Sequence, residues 1–118
     1  MGRLNVGQLI ALLKERPKDE SVQFDFGGIA PTKCANYRGY YQDLAIGFDE
    51  EGHATVGSLL AELTAAVGQT FMGWKGGEYV MRRNSSLWVA NPGRTTDTVI
   101  VGINDCDYLT VLRTEWAP

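Results

Sequence analysis

A chain of 118 residues is long enough for one domain with a hydrophobic core and too short for two domains of ordinary size. Its 44% hydrophobic and 21% charged residues are typical of a globular protein and exclude an intrinsically disordered chain. Fourteen acidic residues against eleven basic ones give a net charge of −3, which argues against general binding to duplex DNA or to anionic membranes.

The sequence carries no targeting or membrane-spanning signal. No apolar run reaches 18 residues, and the first 13 residues lack the charged start, long apolar stretch and cleavage site of a signal peptide. We therefore expect a cytoplasmic protein. Cys34 and Cys106 form no CxxC motif, so neither a zinc site nor a redox pair is predicted. We expect reduced thiols, and a single bridge between the two stays open.

Two segments fifty residues apart share the pattern of a capped amphipathic helix. Asn5 and Thr55 are suitable N-caps, and apolar residues follow each of them at helical spacing. The first helix is expected to end before Pro17 and the second near Gly68, a residue suited to a left-handed terminus. We interpret the recurrence as common cap chemistry on a core-facing stripe rather than as a duplication.

The remaining segments have the composition of short strands separated by turns. Strands are predicted at 22–26, 41–48, 78–81, 87–90, 98–103 and 108–113, with turns at 49–52, 84–86, 91–93 and 104–105. We therefore expect one α+β ligand-binding domain over residues 1–118, with two amphipathic helices packed on a mostly antiparallel β-sheet.

No catalytic motif is present. His53 is the only histidine and follows an acidic turn, where a solvated loop residue is the ordinary interpretation. The acidic residues in predicted loops show no spacing that marks a carboxylate pair, and there is no Walker loop, nucleophile elbow or HExxH motif. Neither a metal nor a cofactor is predicted.

Two aromatic–cation–glycine clusters stand out, at residues 36–41 (NYRGYY) and 71–79 (FMGWKGGEY). Rings stack on bases, basic side chains meet phosphates, and glycines let backbone amides approach an anion, so this chemistry suits a nucleotide. Single-stranded nucleic acid would use the same devices. Residues 71–96 carry four basic side chains and one acidic one, so a net charge of +3 stands against −6 elsewhere. A local field of this kind favours a small polyanion over an extended nucleic acid.

Each candidate also has an ordinary structural interpretation. The aromatic residues can be core or sheet-face residues, and the basic ones a solvated rim. Asn91 and Arg94 flank a Pro-Gly turn, where they either edge a pocket or serve only the turn. Arg113 either points into a site or pairs with Asp107 or Glu115.

The segments YRGYYQDLA (residues 37–45) and FMGWKGG (residues 71–77) resemble small phage proteins of the Thoeris anti-defense sponge family. The resemblance spans most of the chain. It implies a protein that captures cyclic nucleotide signals of bacterial immunity, chiefly cyclic ADP-ribose isomers, without hydrolysing them. It also implies an oligomer with ligand sites between subunits, and in some members a second kind of site for cyclic di- or trinucleotides.

The clusters and the resemblance together give the candidate ligand-binding residues: Tyr37, Arg38, Tyr40, Trp74, Lys75, Gly76, Met81, Asn91, Arg94 and Arg113. By the resemblance, Asn91 is the family's asparagine after a late strand and Met81 its pocket hydrophobe. If the family has phenylalanine at this position, Met81 departs from it, and the stacking of that ring on a base would be lost. Arg38 and Arg113 are the phosphate-binding candidates.

The sequence thus predicts a non-enzymatic, homo-oligomeric phage protein that sequesters a cyclic nucleotide immune messenger in the cytoplasm of the infected bacterial host. No duplex DNA or membrane partner is expected. Two other classes of function compete with this one. The first is a protein-binding inhibitor or minor structural phage protein, with Trp74, Trp88 or Trp116 as interface anchors. The second is a hydrolase of the messenger.

Overall fold

The computed structural model describes residues 3–26, 29–37, 40–49, 52–72, 78–89, 98–106 and 108–116. Among these residues the chain forms two helices and eight strands. The helices are α1 (Val6–Lys14) and α2 (Val56–Ala66). The strands are β1 (Ser21–Phe24), β2 (Ala30–Tyr37), β3 (Tyr40–Asp49), β4 (Thr70–Met72), β5 (Glu78–Val80), β6 (Leu87–Val89), β7 (Thr98–Cys106) and β8 (Leu109–Trp116).

Both helices begin with a complete capping box, as the N-cap prediction requires. The Asn5 side chain accepts a hydrogen bond from the Gln8 amide, and the Asn5 amide donates to the Gln8 side chain, both at 2.8 Å. Thr55 and Ser58 make the same reciprocal pair at the start of α2. These bonds satisfy amides that have no partner within the helix. Gly68 follows α2 with a φ of +85°, so the predicted left-handed terminus is confirmed. Neither described helix combines the length and the apolar character needed to cross a bilayer.

Six strands form one mixed sheet in the order β1-β8-β7-β6-β3-β2. The pairs β1–β8 and β3–β6 are parallel, whereas β8–β7, β7–β6 and β3–β2 are antiparallel. Strands β4 and β5 pair separately as a two-stranded antiparallel ribbon. The α+β class is therefore confirmed, and the sheet is mixed because β1 and β6 each join a strand distant in sequence. The radius of gyration, 13.3 Å, is that of one compact domain of this length.

Two strands were not predicted, and one predicted turn is wrong. Strand β2 contains Pro31 and lies at the sheet edge, where a residue without an amide proton is tolerated. Strand β4 is only three residues long. Asn104 and Asp105 lie inside β7 and pair with Val111 and Thr110, because the β7–β8 ladder continues beyond the core. The chain reverses later, near Tyr108, which has a φ of +62°.

One hydrophobic core joins the two helices to one face of the sheet. It contains the inner stripes of both helices together with alternate strand residues such as Leu44, Leu87, Ile100 and Leu112. Ala45 and Trp88 alternate with these residues and contact each other outside that core. The sheet therefore has a helix-covered face and a second face.

The N-terminal segment fills a gap in the sheet. Strands β6 and β7 pair directly only at Val89 and Thr98. Beyond that point the Leu4 amide donates to the Ile100 carbonyl at 2.8 Å, and Asn5 forms a bridge with Ser86. The preceding residue, Arg3, is thereby positioned beside β6.

Candidate functional site

The first aromatic–cation–glycine cluster lies at the end of the β2–β3 hairpin. Tyr37 and Tyr40 are paired across its two strands, which brings their backbones to adjacent positions. The ladder register shifts between Asn36 and Tyr37, so residues 41–43 fall between two consecutive pairs. Extra residues of this kind redirect side chains, and they are common beside functional sites. Arg38 lies outside the described residues.

The second cluster includes the β4–β5 ribbon, in which Phe71 pairs with Tyr79. Both clusters thus contain strands paired as hairpins, a placement that composition alone did not reveal. The remaining candidates in this half of the chain lie outside the described residues: Trp74, Lys75, Gly76, Asn91 and Arg94.

Met81 lies in the main core. Its side chain is 1% exposed and packs among the buried residues of the helices and the sheet. Its amide donates to the Gln69 carbonyl at 3.0 Å, and its carbonyl accepts from the Gly68 amide at 2.8 Å. The structure therefore places Met81 where it supports the end of α2, with almost none of its side chain accessible to a ligand.

Arg113 lies on the second face, where its side chain covers Gly102. The two residues are cross-strand partners in β7 and β8, and the neighbouring Leu112 points into the core. A Cβ atom at position 102 would be 3.1 Å from both Nε and Cζ of Arg113, so only glycine leaves room for this guanidinium. Arg113 Nε is buried and has no hydrogen-bond partner among the described residues, and no ion pair joins Arg113 to Glu115 there. Asp107, the other candidate partner, lies outside the described residues.

A second arginine is held against Trp88. The Arg3 guanidinium carbon lies 4.1 Å from the centroid of the Trp88 ring, and Arg3 Nη2 donates to the Leu87 carbonyl at 3.1 Å. Trp88 Nε1 donates to Asp43 Oδ2 at 2.9 Å, which fixes the plane of the indole. Arg3 Nε, like that of Arg113, is buried without a hydrogen-bond partner in the described part of the chain. Both are N–H groups that can donate only, so an anionic acceptor is the chemistry they fit.

A network of charged side chains links the end of α1 to the sheet. Arg16 Nη2 contacts Glu20 Oε1 at 2.7 Å and Asp105 Oδ1 at 2.6 Å, and the hydroxyl of buried Thr110 donates to Glu20 at 2.7 Å. The hydrogen bond from Arg16, helped by that from Thr110, lowers the pKa of Glu20. The same carboxylate raises the pKa of Arg16. These bonds join the end of α1 to β7 and β8 and keep both groups ionised.

The described residues contain no group of three or more histidine, cysteine or acidic side chains that could hold a metal ion. His53 is exposed, as expected of a loop residue. Both cysteines are free; Cys34 is half-buried, and burial, with a smaller contribution from the charge of Glu62, raises the pKa of its thiol to about 12. At neutral pH Cys34 is therefore a protonated thiol.

Sequence reasoning missed three residues of the second face: Arg3, Asp43 and Gly102. Gly102 interrupts an otherwise apolar strand, and a glycine inside a strand signals a close approach by another group. Arg3 and Asp43 carry no such signal, because only the inserted N-terminal segment and the parallel β3–β6 pairing bring them to Trp88.

Comparison of the chain with protein-family models, with curated proteins and with solved structures found no match. The resemblance to the sponge family therefore stays a prediction.

Proposed function

We propose that this protein binds and sequesters a cyclic nucleotide immune messenger without cleaving it. The observation that carries the proposal is the Arg113 guanidinium, which lies over Gly102 with a buried, unpartnered Nε among the described residues. A buried donor without an acceptor is unfavourable by about 1–3 kcal/mol. Arg113 as a whole is half-buried, so the other nitrogens of its guanidinium would make the charge-assisted bonds to a phosphate.

The aromatic residues supply the second requirement of a nucleotide site. A nucleotide presents flat bases as well as phosphates, and two residues of a type that stacks on bases, Tyr37 and Tyr40, have their backbones paired at one hairpin end. Trp88 adds an indole on the second face, held by Arg3 and Asp43. Arg38, Lys75 and Arg94 would add positive charge for the phosphates.

The proposed function is sequestration of the messenger by an oligomer in an infected cell. Sequestration needs affinity, slow release and abundance, and none of the residues assigned to the site is required to perform chemistry. One protomer of this size offers little concave surface, so we propose a homo-oligomer whose subunits together enclose the ligand. The protein would act in the cytoplasm of an infected bacterial cell, against the messenger of an antiphage system.

The test is a thermal-unfolding panel of cyclic ADP-ribose isomers, cyclic dinucleotides and cyclic trinucleotides. A ligand present at 100 times its dissociation constant stabilises the folded state by about 2.7 kcal/mol. We expect one class to raise the unfolding midpoint and to be recovered intact after the protein is boiled. Substoichiometric conversion of the ligand would establish a hydrolase, and no shift with any compound would contradict the proposal.

Variants locate the site. Arg113→Ala should weaken binding of the stabilising compound by about 10- to 150-fold, the value of a hydrogen bond to a charged group, with the unfolding midpoint in the absence of ligand nearly unchanged. The control is Lys14→Ala, which removes an exposed basic side chain of α1, outside the second face and outside residues 71–96. Equal affinities in the two variants would refute the assignment of Arg113.

Tyr108 favours a protein-binding inhibitor as the second candidate. It is 92% exposed and held in the left-handed conformation, so its ring contributes little to its own fold. Exposed aromatic side chains are enriched at protein interfaces. Capture of a host protein by the native chain, lost in Tyr108→Ser, together with no response to nucleotides, would favour this function.

A further inference from the structure

An aromatic cleft lies at the end of the sheet, where β1, β3 and β8 finish and β7 begins. It has a volume of about 270 Å³. Its lining residues are Phe26, Phe48, Thr98, Thr114, Glu115 and Trp116. None of the residues assigned above to nucleotide binding lines it, so the cleft is a separate feature.

Two of the lining residues, Phe26 and Phe48, belong to a packed group of three phenylalanines. Phe24 and Phe26 are stacked, with ring centroids 5.1 Å apart and planes 11° apart. The ring of Phe48 meets both edge-on, at 6.0 Å from Phe24 and 5.9 Å from Phe26. Because Phe24 is 2% exposed and belongs to the core, it anchors the other two rings in place. Trp116, 70% exposed, adds a further ring to the lining.

One polar group of the cleft, the Thr114 hydroxyl, is left as a hydrogen-bond acceptor. The Thr114 amide and hydroxyl donate to the two carboxylate oxygens of Asp25, at 2.9 and 2.5 Å. The hydroxyl hydrogen of Thr114 is therefore committed, and its oxygen can only accept. Glu115 is the acidic residue among the lining residues, and Asp25 is linked to the cleft through its bonds to Thr114. The described lining residues include no lysine or arginine.

We propose that this cleft binds a small organic cation of the quaternary ammonium class as a free solute. Ring faces and carboxylates both attract positive charge, and methyl groups on nitrogen present that charge on an apolar surface. The apolar walls match those methyl groups, and a volume of 270 Å³ suits a compact head group rather than a nucleotide. The anionic messenger proposed above would be disfavoured here, so this site does not depend on that function.

The experiment is an NMR titration of the ¹⁵N-labelled protein with choline chloride and, separately, with 3,3-dimethylbutan-1-ol. The second compound has nearly the same shape with carbon in place of the charged nitrogen. We expect choline to shift the Trp116 indole N–H, identified by its loss in Trp116→Phe, and the Thr114 amide. The Trp88 indole N–H, bonded to Asp43, should not move. Equal binding of the neutral compound, or no shift with choline at millimolar concentrations, would overturn the proposal.

Two variants of the cleft measure separately what the Trp116 ring and the Glu115 charge contribute to choline binding. Trp116→Leu should weaken choline binding by about two- to fivefold, the range of a cation–π contact at an exposed site. Glu115→Gln should weaken it in the same direction and leave the neutral compound unaffected. Leu12→Ala, which truncates an exposed hydrophobic side chain of α1 outside the cleft, is the control and should bind as the native protein does. Unchanged affinity in both cleft variants would also overturn the proposal.

Discussion

Replacing Gly102 with alanine should move the Arg113 guanidinium off the second face while the β7–β8 pairing stays intact. The added methyl group would lie 3.1 Å from both Nε and Cζ of Arg113, closer than carbon and nitrogen atoms ordinarily approach. The atoms in its way form the end of a flexible side chain, so the side chain, not the strand, should move.

The stability change follows from two opposing effects. A new rotamer for Arg113 is unfavourable by about 0.5–1.5 kcal/mol. Replacing a strand glycine by alanine is favourable by about 0.5–1 kcal/mol, because the unfolded chain has fewer conformations to lose. We therefore expect the free energy of unfolding to change by less than about 1 kcal/mol. Binding should weaken by about 10- to 150-fold, since the charge-assisted bonds from Arg113 are lost.

The assay combines urea unfolding with binding of the compound that stabilises the protein most in the nucleotide panel. Gly102→Ala, Arg113→Ala and the double variant should bind equally weakly, because both changes remove the same guanidinium from the same place. Gly68→Ala is the control. Because Gly68 has a φ of +85°, this variant should lose about 1 kcal/mol or more of stability and should bind the compound with native affinity. Native affinity in Gly102→Ala beside weak binding in Arg113→Ala would refute the geometric argument, as would a destabilisation above about 3 kcal/mol.

Four further outcomes are expected. Asn5→Ala should lower the free energy of unfolding by about 1 kcal/mol in urea titrations, because it removes the α1 cap; no change would contradict that role. A thiol reagent at pH 8 should label exposed Cys106 and leave Cys34 protonated and unlabelled until urea is added; two fast equivalents in the native protein would contradict the raised pKa. The lowered pKa of Glu20 means that its contribution to stability is present above pH 4.5 and is lost as the pH falls through its folded value. Urea midpoints between pH 7 and pH 3 should therefore fall less steeply in Glu20→Gln than in the native protein, and parallel curves would refute this. Arg113→Met should lose ligand binding, while its urea midpoint of unfolding should equal or exceed that of the native protein. A markedly lower midpoint would contradict this and would show that the guanidinium stabilises the fold.

The helices could be predicted from local sequence, whereas the order of the strands in the sheet could not. A cap at Asn5 or Thr55 needs only residues three positions away, so a single sequence contains all of its determinants. The parallel pairs join strands far apart along the chain, as Leu44 with Leu87. Short strands such as β4 carry too few residues for a period to be recognised. The predicted turn at Asn104 failed because turn-forming residues also occupy exposed strand ends, where ladder bonds with a neighbour decide the conformation.

The site could be predicted only in part, because it too depends on contacts between residues that are distant in sequence. The aromatic and basic residues of the clusters were visible as composition, yet composition does not say which of them meet. The pairing of Tyr37 with Tyr40 follows from the β2–β3 register, and the place of Arg113 follows from the face to which β8 turns each residue. The neighbourhood of Arg3 could not be predicted, because it depends on the N-terminal segment lying between β6 and β7, which are far from it along the chain.

The two arginines on the second face have a common physical meaning. Each has apolar or aromatic surface beside its guanidinium, Gly102 for Arg113 and Trp88 for Arg3, and each keeps a buried Nε without a partner among the described residues. Such an arrangement orients the charge before any ligand arrives, so little side-chain entropy is lost on binding. The unsatisfied donors lower the stability of the free protein. Under the proposed function, an anion would bond to the accessible nitrogens of the same guanidinium groups. A binding protein gains affinity from this preorganisation, because the free energy withheld from the fold becomes available to the complex.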